Sequence, residues 1–476
     1  MARHRTRAPL ALALAALVLA ACAGVDDGAS GPAVPTATGG GPRTTGAPPP
    51  PGPTTSATDP PVDPGPPPPP SGDLSACAAQ ESAGQGPVPV EVRAALDGVV
   101  GDPRWQGLDV GISVWVDGWG EVLAVQPDQP LLPASVEKLL PAVGALAVLG
   151  PEATLATTVR GSPPVDGVVP GDLVLVGGGD PLLGRDGPTS LAALADRLRA
   201  AGVRRVSGAV VVDDSRHDGA RTAPGWLSWQ QPAFIGPMSA LLVDQNRWRR
   251  DPAYVADPTV GNGEAFVAAL GRAGIVVAGP VRSGVAGPST PVLAEVRSAP
   301  VGELVAAMLG SSDNTMAEAL VREVGVVGGA GGSTAGGLAV IDEVVGSLLG
   351  SCGPPAGVAT DGSGLSRLDA RSAREWRRLL QAVRSQPWGP GLLGGLPVAG
   401  ASGTLAHRLS WAPAAGNVRA KTGTTIPARA LAGEATTGGG RTATFAVIVN
   451  GADAVPPGQA EAAIDALAST VAGLPG

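Results

Sequence analysis

Lysine is nearly missing from this chain. Of its 33 basic residues only Lys138 and Lys421 are lysine, and arginine supplies the rest. Arginine keeps its charge in any protein setting, whereas a desolvated lysine can lose its proton and act as a base. A sequence that uses arginine everywhere else needs lysine chemistry at those two positions. Histidine is also scarce. His4, His217 and His407 have no ligand-like spacing, which excludes a histidine-based metal centre, and no metal or cofactor is expected. No serine sits in a Gly-x-Ser-x-Gly elbow, which argues against a Ser-His-Asp hydrolase. Past residue 21 no run approaches the ~20 apolar residues of a spanning helix. Residues 1–21 carry Arg3, Arg5 and Arg7 and no acid, so without them the formal charge of −8 becomes −11. Such an acidic protein is not built for nucleic acid or for anionic lipid as main partner.

The first residues read as an export signal. Arginines precede an apolar run from Leu10 to Ala21 that is too short to span a bilayer. It ends in Leu19-Ala20-Ala21-Cys22, which resembles the lipobox of bacterial lipoproteins, where the signal is cut before a cysteine that then carries lipid. An ordinary cleaved signal is the alternative. The reading is a lipoprotein signal peptide over 1–21 and an extracytoplasmic protein held to the membrane through Cys22. Residues 22–75, rich in Pro, Gly and Thr, have no hydrophobic periodicity and read as a disordered tether with polyproline stretches. Cys77 and Cys352 then remain as an even pair in an oxidising compartment, which makes a Cys77–Cys352 disulfide the expectation and two buried thiols the alternative.

The folded part starts near residue 76. A helix is expected at Val90–Leu96. A β-hairpin follows, Asp109–Val116 with Glu121–Val125 across Asp117-Gly-Trp-Gly120. A helix over Ser135–Leu149 contains an awkward Pro141. Residues 152–290 read as an inserted region, with strands at Gly171–Val176 and Ala209–Asp213 and helices at Leu191–Ala201 and Ala265–Ala273. A helical stretch runs from Val301 to Val324. Strands are expected at Asn417–Lys421, Ala430–Ala435 and Thr442–Asn450, and a last helix at Gln459–Val471. This predicts an α/β protein of α+β type: residues 76–151 and 291–476 form one domain, an antiparallel sheet flanked by helices, interrupted by the insertion.

Three short motifs carry chemistry. Ser135-Val-Glu-Lys138 places a serine and a lysine three apart, on one face of a helix, as nucleophile and amine base. A helix N-cap is the plain alternative for Ser135. Ser312-Asp313-Asn314 taken alone is a turn or cap. Lys421-Thr422-Gly423-Thr424 lies on an expected strand, where a solvated edge lysine is the plain alternative. Ser-x-x-Lys, Ser-x-Asn and Lys-Thr-Gly in this order form the active-site set of penicillin-binding proteins and serine β-lactamases.

The chain resembles the low-molecular-mass class C penicillin-binding proteins, D-alanyl-D-alanine carboxypeptidase/endopeptidases, over about residues 85–475. The resemblance extends to Gly171–Pro181, Val212-Asp-Asp-Ser215, Ser239–Leu242 with Asn246, Asp361-Gly-Ser-Gly-Leu-Ser-Arg367 and Leu396–Leu405. The 177 positions from Ser135 to Ser312 leave room for an insertion that compact β-lactamases lack. The resemblance implies a transpeptidase-like fold, peptidoglycan stem peptides as substrates and β-lactams as inhibitors. It implies an acyl-enzyme on Ser135, Lys138 as base, Ser312 and Lys421 relaying a proton to the leaving amine, and Asn314 holding Lys138 and the substrate amide. Thr422, Gly423 and Thr424 would line the site of the terminal carboxylate, the Ser135 and Thr424 amides would form the oxyanion hole, and Arg367 would lie near the peptide side chain. One departure is visible: after Pro224-Gly225-Trp226 the chain runs Leu227–Phe234 with no acid, and with phenylalanine where relatives have tyrosine. A binding lipoprotein without turnover and a β-lactam-hydrolysing relative are the rival readings.

Overall fold

The computed structural model describes residues 85–247, 257–350 and 357–475. The expected signal and tether, and Cys22, Cys77 and Cys352, lie outside the described residues.

Two five-stranded sheets with separate cores organise these residues, beside a small parallel sheet of Val168–Val169, Arg205–Val206 and Val276–Val277. The first is wholly antiparallel, in the order Arg419–Thr424, Ala428–Thr436, Thr442–Asn450, Asp109–Val116, Gly120–Val125. The period-two alternation of its strands sends side chains into two different cores. Ala430, Ala432, Ala446 and Ile448 face one core, together with the helices Leu139–Gly144, Val301–Ser311, Asn314–Val327, Thr334–Leu349 and Ala373–Arg384. Leu431, Phe445, Val447 and Val449 face the other, with the helices Val90–Val100 and Gln459–Ala472. Alanine at three of the inward positions keeps the first layer of helices close to the strands.

The second sheet lies within the expected insertion and runs on to Arg297. Its order is Val292–Arg297, Ala156–Arg160, Leu173–Val176, Val210–Asp213, Val281–Ser283, with the last two pairings parallel. Over it lie the helices Leu191–Ala200 and Pro258–Arg272, which share its core. Ser190 caps the first of these by accepting from the Ala193 amide at 3.0 Å, and Leu191, Leu194, Ala195 and Leu198 give the apolar stripe expected at 3.6 residues per turn.

Several expected elements differ. The helix over 135–149 is three pieces: a 3-10 turn at Ala134–Lys138, an α segment at Leu139–Gly144 and a π turn at Ala145–Leu149. Pro141 falls just past the change from the 3-10 turn to the α segment. The stretch 301–324 is two helices, broken where Ser312 takes a left-handed conformation (φ 59°) and Asp313 caps the second by accepting from the Met316 amide at 2.8 Å. The helices Thr334–Leu349 and Ala373–Arg384 were not expected. The first holds glycines that look like helix breakers. Gly337 is there for contact: a Cβ on it would lie 1.9 Å from the Val321 carbonyl oxygen, so this helix meets Asn314–Val327 backbone to backbone.

Candidate active site

The break between the two helices and the edge strand Arg419–Thr424 bring Ser135, Lys138, Ser312, Asn314 and Lys421 together. Ser135 sits in the 3-10 turn and does not cap it. Its Oγ lies 2.9 Å from Lys138 Nζ. Lys138 is fully buried and has two further partners, Asn314 Oδ1 at 2.7 Å and the Ser363 carbonyl at 2.5 Å. Both are carbonyl oxygens and can only accept. The Asn314 amide is oriented by its other end, since Nδ2 donates to the Phe234 carbonyl at 3.1 Å. A neutral amine has two hydrogens and one lone pair. With the hydrogens given to the two carbonyls, the lone pair faces Ser135 Oγ, and the hydroxyl is the only one of the three partners able to donate to it.

Lys421 is also fully buried, so it is not the solvated edge lysine. Its Nζ donates to Ser312 Oγ at 2.9 Å and to the Thr422 carbonyl at 2.8 Å. Burial lowers both amines. Lys138 falls from 10.5 to about 8, against the opposing pull of Asp361, Asp313, Glu318 and Glu137. Lys421 is held well below the usual lysine range by burial and then by the charge of Lys138. A charge on Lys138 thus disfavours a second proton on Lys421. The acids around Lys138 shift the other way. Burial pushes Glu318 and Glu137 up to about 8.

The edge strand offers donors to the cleft. The Thr425 amide pairs inward with the Ala428 carbonyl, while the Ala420 amide pairs outward with the Pro397 carbonyl at 3.0 Å. This alternation turns the amides of Thr422 and Thr424 toward the open edge. Thr424 is exposed there. The Thr422 hydroxyl is 2.7 Å from the Thr404 hydroxyl, so Thr404 joins this part of the site. The strand approaches the nucleophile turn closely: a Cβ on Gly423 would lie 2.5 Å from the Pro133 carbonyl oxygen. From the opposite side, Gly364 (φ +76°) leaves room in the same way, since a Cβ there would lie 2.0 Å from the Ala134 carbonyl oxygen and 3.0 Å from the Ser135 nitrogen. Two glycines thus clasp the turn that carries Ser135.

Arg367 lies at the end of that second loop. It is exposed, and its amide donates to the Gly225 carbonyl at 3.3 Å. The contributions of Ser363, Thr404 and Phe234 were not foreseen. Two of the three act through backbone carbonyls, which leave no mark in a sequence, although the Asp361–Arg367 and Leu396–Leu405 segments do carry the family pattern. The arrangement supplies a serine hydroxyl, an amine aimed at it, a second serine–lysine pair across the cleft, and edge amides free to bind an oxyanion.

Comparison with known proteins gives the family. The family model of the D-Ala-D-Ala carboxypeptidase 3 (S13) family matches residues 92–251 and 252–471. The chain is 36% identical over 389 residues to carboxypeptidase DacB of Mycolicibacterium smegmatis, covering 76% of this chain and 78% of that protein. It is 30% identical to the D-alanyl-D-alanine carboxypeptidase of an Actinomadura species, covering 76% and 81%. In fold it is similar to penicillin binding protein 4 of Haemophilus influenzae, with a TM-score of 0.69 at 22% identity, covering 79% of this chain and 97% of that one. By the span of the family match and the identity to these relatives, the chain belongs to the D-Ala-D-Ala carboxypeptidase 3 (S13) family.

Proposed function

We propose that this protein is a serine D-alanyl-D-alanine carboxypeptidase/endopeptidase that trims or cleaves peptidoglycan stem peptides and is acylated by penicillin. The observation that carries the reading is the convergence of Ser135 Oγ, Asn314 Oδ1 and the Ser363 carbonyl on one buried lysine nitrogen. Ser135 Oγ attacks the carbonyl between two D-alanines while Lys138 takes its proton. The Ser135 and Thr424 amides hold the developing oxyanion, where one donor is worth about 10²–10³ in rate. Thr422 and Thr424 receive the terminal carboxylate. That carboxylate favours the protonated form of Lys421, and a charged Lys421 in turn favours the neutral form of Lys138. Substrate binding therefore prepares the base. Ser312, 2.9 Å from Lys421 Nζ, passes a proton to the departing amine, and water then releases the acyl group from Ser135. Arg367, exposed at the end of the Asp361–Arg367 loop, meets the stem-peptide side chain.

The test is release of free D-alanine from a muropeptide ending in D-Ala-D-Ala. Wild type is expected to release it and Ser135→Ala to fall to background. Release by Ser135→Ala at the wild-type rate would reject the assignment.

The place of action follows from the first residues. We propose that the chain is lipidated at Cys22 and held outside the membrane by residues 22–75, and that Cys77 and Cys352 are bonded; the support is the sequence at Leu19–Cys22 and the even cysteine pair. Cys22→Ser is expected to move the protein from the membrane to the soluble fraction, and unchanged fractionation would defeat the anchor. Peptide mapping without reductant is expected to recover Cys77 linked to Cys352, and both thiols free would defeat the disulfide.

A further inference from the structure

The Ser363 carbonyl reaches Lys138 only because the loop around it is wound onto a buried carboxylate. Asp361 accepts from the amides of Ser363 (3.1 Å), Gly364 (2.7 Å), Leu365 (3.1 Å) and Ser366 (3.0 Å), and from Ser363 Oγ at 2.8 Å. Glu318 Oε1 accepts from the Gly362 and Ser363 amides at 2.7 and 2.9 Å. A carboxylate held in this way fixes the direction of each peptide plane around it, including the plane whose oxygen faces Lys138 Nζ.

The insertion fastens this assembly. Trp226 Nε1 donates to Asp361 Oδ2 at 2.6 Å, and Gln230 Nε2 donates to the Leu365 carbonyl at 3.0 Å. Leu365 packs with Ile235, Met238 and Leu242 of the insertion, and Trp226 covers that cluster. The same segment supplies the Phe234 carbonyl that orients Asn314. Each carbonyl partner of Lys138 is therefore set by residues 226–234, which lie far from the three motifs in the sequence.

We infer that Trp226 and Asp361 are positioning residues for acylation: through them the insertion holds the Ser363 carbonyl on Lys138 and so aims the lysine lone pair at Ser135. The insertion is then part of the base's mounting as well as a neighbouring fold. The inference rests on the reading of Lys138 as the base. One fixed acceptor is enough to hold one hydrogen of the amine, but both are needed to fix its lone pair.

Trp226→Phe removes the indole N–H and keeps an aromatic ring in the cluster. With a fluorescent penicillin as probe, its acylation rate constant is expected to fall about tenfold, in the range for losing a buried hydrogen bond to a charged group, with the non-covalent binding constant unchanged. The pH limb of acylation is expected to move upward. A loosened loop admits water to Lys138, and Asp361, no longer shared with an indole, pulls harder on the ammonium alongside Asp313, Glu318 and Glu137; Lys421 opposes them. Ser363→Ala keeps the carbonyl and removes one tie to Asp361. It is expected to slow acylation several-fold, and it carries the test if Trp226→Phe does not fold. Acylation at the wild-type rate in the folded variant overturns the inference, as does a slower rate with an unmoved pH limb, which would mark general loosening. Failure of wild type itself to be labelled would instead reject the acyl-enzyme reading on which the inference depends.

Discussion

Lys138→Arg is expected to slow acylation of Ser135 by at least about 10³-fold, within the range for loss of a general base. Arginine keeps the positive charge, and the charge is not what the geometry requires. The lysine nitrogen makes three contacts, with two carbonyl oxygens and the Ser135 hydroxyl. Its use as a base depends on a lone pair that guanidinium does not expose at any accessible pH. In wild type the rate should climb with pH, because the neutral fraction of the amine rises through about pH 8, the value to which burial lowers it. The limb slopes upward and levels off above that pH. The arginine variant should lack this limb. Stopped-flow acylation by a chromogenic cephalosporin across pH 6–10 measures both, and an unchanged limb in Lys138→Arg would remove Lys138 as the base.

Gly364→Ala is expected to lower acylation by about 10²-fold or more, the scale for misplacing a reacting group by around 1 Å. Its Cβ would lie 2.0 Å from the Ala134 carbonyl oxygen, so the turn holding Ser135 or the loop holding Ser363 must move. Left-handed backbone strain alone cannot produce this result. Gly416 has nearly the same backbone angle (φ +73°), yet a Cβ there meets nothing within 4 Å. Gly416→Ala should therefore cost about 1–2 kcal/mol of stability from strain and leave acylation unchanged. Thermal melts and penicillin labelling of the two variants separate clash from strain. Equal acylation rates in the two would show that the glycine clasp around Ser135 does not matter.

The motifs were legible for a chemical reason. Lysine occurs twice, both times beside serine or threonine in short known patterns, and both lysines meet in the cleft. The strands of the first sheet were also readable, because burial on both faces leaves short, nearly continuous apolar runs such as Phe445–Val449. The helix Ala373–Arg384 was hidden by its charge. Arg374, Arg377 and Arg378 suggest a solvated segment, but they are buried under the sheet. Arg374 pairs with Glu121 at 2.8 Å, and the Arg377 guanidinium lies over the Trp115 ring, 5.3 Å from its centre. The break at Ser312 was marked only by the turn-or-cap residues Ser312-Asp313-Asn314. The helix that follows is buried along almost its whole length, from Thr315 to Gly325, so no polar face marks where it starts. The carbonyls of Ser363 and Phe234 were beyond any reading of side chains, because every residue has one and only the fold decides which of them reaches Lys138.

The central claim is that Ser135 is the residue acylated. Brief exposure to penicillin, digestion and peptide mass spectrometry test it most directly. One β-lactam adduct is predicted on the peptide containing Ser135 in wild type, and none in Ser135→Ala. An adduct on another residue, or none on folded wild-type protein, would contradict it.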